Sequence, residues 1–155
     1  MTPSDFIAAV GPAAQQSAAS TGIPASFTVA EAALESGWGS SGLTVNAMNL
    51  FGIKADPSWT GPTWSQQTRE FLNGQWVMVP ALWRKYSDWL GSITDHAAFL
   101  ITNPRYNAAF NCTDGPSFAQ AVAAAGYATD PDYATKIIEI INAHGLASLD
   151  TGASQ

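Results

Sequence analysis

Ala32-Ala33-Leu34-Glu35-Ser36-Gly37-Trp38-Gly39 is the stretch on which the reading of this chain turns. Alanine and leucine favour helix, and Gly37 is placed to end it, so Glu35 falls in the last helical turn. Upstream, Pro24 suits the start of that helix, and Phe27, Ala30, Glu31 and Leu34 recur at helical spacing. The last turn is the negative end of the helix dipole, where an acid is disfavoured. A glutamate kept there has a partner or a purpose; the plain alternative is a surface residue. Low polarity beside Trp38 would favour the protonated carboxyl, and a protonated glutamate near neutral pH is a general acid.

A second isolated glutamate, Glu70, lies in Thr68-Arg69-Glu70-Phe71-Leu72-Asn73-Gly74-Gln75-Trp76-Val77. That segment reads as a β-hairpin closed by Asn-Gly. One carboxyl on a helix and one on a hairpin suggest two walls of a cleft, and paired carboxyls are the usual equipment of glycoside hydrolysis. Beside Arg69, Glu70 reads equally well as a solvent-facing strand residue, and spacing alone does not decide.

Working outward, Ser4 can cap a short helix carrying Phe6, Ile7 and Val10. Gly11-Pro12 interrupts it, and Pro12 suits the first turn of a second helix reaching Ser20. Residues 37–63 read as irregular and 64–83 as the hairpin. Ser92-Ile93-Thr94-Asp95 reads as a capping box for the next helix, ended by Asn103-Pro104. Pro116 opens another, stopped by Gly126. Asp130-Pro131 caps a last one, ending near Gly145. The pattern is α+β and mostly helical. One domain over residues 1–149 is expected, with 150–155 as a disordered tail. The tryptophans at 38, 59, 64, 76, 83 and 89 all fall between positions 38 and 89. Aromatic faces stack on sugar rings, and large side chains also build the core of a small lobe. Most of them are expected to be structural and one or two to face ligand.

The chain has 155 residues, long enough to bury a core without staples. Charged residues are only 12% and the net charge is −6, with no basic run. Nucleic acid and anionic membrane surfaces are poor partners for such a chain, because both demand a cationic footprint. No apolar run is long enough to span a bilayer, and the N-terminus shows no signal peptide. Cys112 is the single cysteine and shows no nucleophile signature. Gly37-Trp38-Gly39-Ser40-Ser41-Gly42 matches a dinucleotide fingerprint only literally, since a helix rather than a strand precedes it. His96 and His144 lack metal-ligand spacing, so neither a metal nor a cofactor is expected.

Five motifs in order resemble one family: Ala32 to Gly39 above, Asn49-Leu50-Phe51-Gly52-Ile53-Lys54, Asp95-His96-Ala97 with Phe99-Leu100, Asn103-Pro104-Arg105-Tyr106, and Ala125-Gly126-Tyr127-Ala128-Thr129-Asp130-Pro131. Together they resemble the peptidoglycan N-acetylglucosaminidases of glycoside hydrolase family 73, within the lysozyme superfamily. The resemblance implies a lysozyme-like fold: a helical lobe, a small β-hairpin lobe and a substrate groove between them. It implies cleavage of the β-1,4 bond between N-acetylglucosamine and N-acetylmuramic acid in peptidoglycan glycan strands. Glu35 matches the family's general acid, Glu70 the β-lobe carboxylate, and Tyr127 a tyrosine that supports the reacting sugar. Trp38, Asn49, Phe51, Asp95 and Tyr106 are the expected substrate-binding residues. A monomer is expected. The absence of wall-binding repeats and signal peptide resembles a phage or prophage lysin, made in the bacterial cytoplasm and brought to the wall by a holin or a virion. A lytic transglycosylase or muramidase on the same fold, and a non-catalytic glycan-binding or virion module, stay open as alternatives.

Overall fold

A computed structural model describes residues 1–152. Two helices come first, α1 (Pro3–Thr21) and α2 (Ala25–Ser36), then a short α3 (Gly42–Ala47). A hairpin of β1 (Thr63–Leu72) and β2 (Gln75–Arg84) follows. The chain returns to helix with α4 (Trp89–Thr102), a 3-10 helix (Pro104–Asn111), α5 (Gly115–Ala124), α6 (Tyr133–Ala143) and α7 (Ser148–Gly152). The architecture is mostly helical α+β with one two-stranded antiparallel sheet.

α2 is the hub. Every residue from Ala25 to Ala33 is buried, and α2 packs on α1, α5, α6 and α7. Small side chains let those neighbours approach, and Phe27 reaches Phe118 on α5 with ring centroids 4.7 Å apart. Phe6, Phe27, Phe118, Leu100 and Ile137 are fully buried, each contributing roughly 1.5–3 kcal/mol by leaving water. Gly37 ends α2 in the left-handed region at φ 58°, and its N–H bonds the Ala33 carbonyl. Glu35 is thereby set in the final turn, as its sequence predicts.

The hairpin closes through Asn73 and Gly74, both at positive φ (51° and 77°), as a turn that follows strand twist requires. Cross-strand partners share a face. Glu70, Val77, Trp64 and Trp83 lie on one side, which is half-buried, and Phe71, Trp76, Met78 and Leu82 lie on the other, which is exposed. α3 packs against both strands on the buried side, where Gly42 sits close to Gln66. Trp83 donates from Nε1 to the Gln66 carbonyl, and Lys54 forms a bridge with Trp83.

Four sequence expectations change. α1 runs unbroken through Gly11-Pro12, with Thr2 rather than Ser4 as its cap. Phe6, Val10, Ala14 and Ser17 form one buried stripe across the proline, and packing on α2 and α4 outweighs the roughly 3 kcal/mol a mid-helix proline costs. Residues 37–63 include helix α3, started by the Ser41 side chain accepting from Thr44 N–H. α4 begins earlier than the capping box predicts: Asp88 caps it by accepting from Gly91 N–H, and Ser92 is buried, accepting from Leu50 N–H. The chain end is ordered further than expected. Asp150 lies in α7 and accepts from the Ser26 N–H (2.9 Å) and hydroxyl (2.6 Å); residues 153–155 lie outside the described residues.

Candidate active site

Glu35 is exposed on the last turn of α2, so its carboxyl opens on solvent. Protein nonetheless crowds it, and that desolvation pushes its pKa up; the Glu31 carboxyl pushes it further, against a smaller opposing pull from His96. A raised glutamate pKa is what a general acid at near-neutral pH needs.

Beneath Glu35, one helical turn earlier, Glu31 is fully buried. Its Oε1 accepts a short hydrogen bond from the Tyr127 hydroxyl and lies 3.4 Å from His96 Nε2. His96 Nε2 is itself 2.7 Å from that hydroxyl. Phe51 stacks on the His96 ring at 4.0 Å, and Tyr106 and Tyr133 wall the Tyr127 ring at 5.8 and 5.4 Å. Burial first, then Glu31, holds the Tyr127 and Tyr133 phenols far above their ordinary values, so both keep their protons. Glu31 Oε2 and the Tyr133 hydroxyl have no hydrogen-bond partner in this enclosed cluster.

Glu70 stands on β1 opposite Val77, paired with Lys54 at 3.3 Å. Both side chains are substantially exposed, so this ion pair is worth at most about 1 kcal/mol and tethers the carboxylate weakly.

The other residues read from sequence as substrate-binding are placed as follows. Asn49 is buried, and its amide is spent on the Ile53 and Arg84 backbone. Phe51 and Tyr106 are also buried, as packing for His96 and Tyr127. All three are packed inward here: alanine-rich helices leave space that large side chains must fill. Asp95 is held by Arg84 Nη1 at 2.8 Å and by the Tyr86 hydroxyl at 2.5 Å, a latch between the base of the hairpin and α4. Burial and then Asp95 push the Tyr86 pKa up, so its hydroxyl stays a donor. Trp38 is half-buried, packed edge-on against Phe6 at 5.7 Å and against His144 at 4.8 Å. Glu31 is the functional candidate that sequence reasoning missed. Its only signal was an acid four residues before Glu35, within the apolar stripe of α2.

A half-open cavity of about 250 Å³ lies between α1 and α4, lined by Gln16, Ser20, Leu90 and Ala97 and not by Glu35. An open face suits an extended polymer better than an enclosed pocket does. Among the described residues no cluster of three or more His, Cys, Asp or Glu could hold a metal ion, and no helix is long and apolar enough to cross a membrane.

The glucosaminidase family, described as mannosyl-glycoprotein endo-beta-N-acetylglucosaminidase, matches residues 11–146. The peptidoglycan hydrolase FlgJ of Vibrio parahaemolyticus is 40% identical over 144 residues, covering 90% of this chain and 46% of that protein. This chain therefore spans about half the length of that relative. A C-terminally truncated glycoside hydrolase domain of Salmonella typhimurium FlgJ superposes with a TM-score of 0.79 at 38% identity, covering 92% of this chain and 97% of that one. The catalytic domain of the autolysin Auto from Listeria monocytogenes reaches 0.86 at 28% identity, with 95% and 86% covered.

Proposed function

Because the chain belongs to the glucosaminidase family, we propose that it is a peptidoglycan hydrolase acting on the β-1,4 bond between N-acetylglucosamine and N-acetylmuramic acid. The observation that carries the reading is Glu35: a carboxyl on a rigid helix end, open to solvent, with its pKa raised by desolvation. In this mechanism Glu35 gives that proton to the leaving glycosidic oxygen. The sugar then carries positive charge at its anomeric carbon, and either water activated by Glu70 or the substrate's own N-acetyl oxygen attacks there. The weak Lys54 tether and the exposed hairpin support a Glu70 that moves toward the bond once a glycan lies between the walls. Tyr127 and His96 support the floor beneath.

Peptidoglycan digested by the protein, reduced with borohydride and analysed by mass spectrometry, should carry glucosaminitol at the new ends. Muramitol would move the protein to the muramidase reading, and 1,6-anhydromuramic acid to the transglycosylase one. Glu35→Gln keeps the shape and removes the proton, so turnover should fall at least about 100-fold, the low end for general-acid catalysis. A folded wild-type protein that binds glycan and never cleaves it would be the non-catalytic module instead. Delivery by a holin or a virion belongs to the same proposal; detection of the protein in purified virions, or wall lysis that depends on a holin, tests it.

A further inference from the structure

Glu31 is the buried acid that this mechanism leaves unused. It has no solvent exposure, yet it sits in the same helix face as Glu35, one turn away. A buried carboxyl is costly unless its hydrogen bonds are satisfied. Here one oxygen is held by Tyr127, with His96 alongside, and the other has no partner. An apolar residue would pack this position without that cost, as Phe27 does one turn earlier.

We propose that Glu31 is a positioning residue for the hydrolysis: it pins Tyr127 and His96 under the site and sets a fixed carboxyl one helical turn beneath Glu35. The inference rests on Glu35 being the acid, as proposed above. The charge at Glu31 opposes ionisation of Glu35, and His96 counters it in part. The groups facing this pair are Glu35 itself on α2, His96 on α4, Tyr106 on the 3-10 helix, Tyr127 after α5 and Tyr133 on α6. Burial and then Glu31 keep the Tyr127 and Tyr133 phenols protonated.

Glu31→Gln tests this with little disturbance. The amide oxygen can still accept from Tyr127, and the new NH2 finds the unpartnered Tyr133 hydroxyl as an acceptor. The chain's glutamates are Glu31, Glu35, Glu70 and Glu139, few enough for carbon-13 glutamate labelling to follow each carboxyl by NMR. In Glu31→Gln the Glu35 resonance should titrate at lower pH than in the wild type. The alkaline limb of the kcat/KM profile should move with it, while the acid-side rate holds. The fall at neutral pH should be at least about threefold, the effect of one charge at i,i+4 spacing acting through nearly aqueous dielectric. If Glu31→Gln does not fold, Glu31→Asp decides: the shortened side chain draws its carboxylate away from the Tyr127 hydroxyl, and kcat should fall several-fold with KM little changed. An unmoved Glu35 titration in Glu31→Gln, or an unchanged kcat in Glu31→Asp, would overturn the inference. A moved Glu35 titration with an unmoved rate profile would overturn Glu35 as the acid, a separate failure.

Discussion

Asp95→Ala separates two meanings of one residue. Its carboxylate accepts from Arg84 Nη1 at 2.8 Å and from the Tyr86 hydroxyl at 2.5 Å, and the Arg84 and Asp95 side chains retain only 15% and 23% of their exposure. Hydrogen bonds to a charged acceptor contribute about 1.5–3 kcal/mol each, and residual exposure argues for the low end, giving a loss of about 3 kcal/mol. Arg84 keeps Asp56 at 3.2 Å and the Lys54 carbonyl at 3.1 Å, so its own position is only partly lost. With a urea dependence of about 2 kcal/mol per molar, the unfolding midpoint should drop by roughly 1.5 M. Tyr86→Phe should show about half that loss. Below the transition the folded variant should bind glycan nearly as well as wild type, while amides of 63–84 exchange faster because the base of the hairpin is loosened. An unchanged midpoint with a raised KM would refute the latch and return Asp95 to the ligand-binding role its sequence suggested.

Two further outcomes follow from the packing and the charges. A Cβ at Gly115 would stand 2.1 Å from Ser26 Oγ and 2.9 Å from Ile141 Cδ1, so Gly115→Ala must displace the serine that holds Asp150; a loss of about 2 kcal/mol is expected from overpacking, seen as a lower melting temperature, and an unchanged one would show that the α5 start yields freely. The folded state raises the Glu35 pKa above its unfolded value, so folding favours the protonated form, and stability is lost as pH rises from about 4.3 through the folded value. Glu35→Gln should therefore melt no lower than wild type at neutral pH, with its advantage vanishing below about pH 4; a variant less stable at neutral pH would show that Glu35 is not held against its charge.

Local chemistry was legible in the sequence. A glycine directly after an apolar helical run and an Asn-Gly pair between two strands favour left-handed backbone, so the end of α2, the place of Glu35 and the hairpin turn could all be read. What could not be read depends on contacts far along the chain. Pro12, itself exposed, looks like a break until α2 and α4 pack on the buried stripe of its helix. Asp95 looks like part of a cap because its partner Arg84 sits on a strand. Glu31 looks like one polar residue in an alanine-rich stripe, and its partner Tyr127 is 96 residues away. A stripe shows which face turns inward, but it does not show which acid on that face will find a donor.

The placement of the tryptophans makes this protein its own one-sided optical reporter. Trp38 through Trp89 lie from the end of α2 to the start of α4, while α5, α6 and the 3-10 helix carry only phenylalanine and tyrosine among their aromatics. Indole fluorescence is therefore weighted to the hairpin and its approaches through Trp59, Trp64, Trp76 and Trp83, with Trp38 and Trp89 reporting on the helices they pack against, whereas far-ultraviolet dichroism is dominated by helices. If the two signals fall together on heating, the hairpin and helices unfold as a unit. If fluorescence leads, the gap in temperature measures how loosely the wall bearing Glu70 is joined to the one bearing Glu35, without any label or substrate.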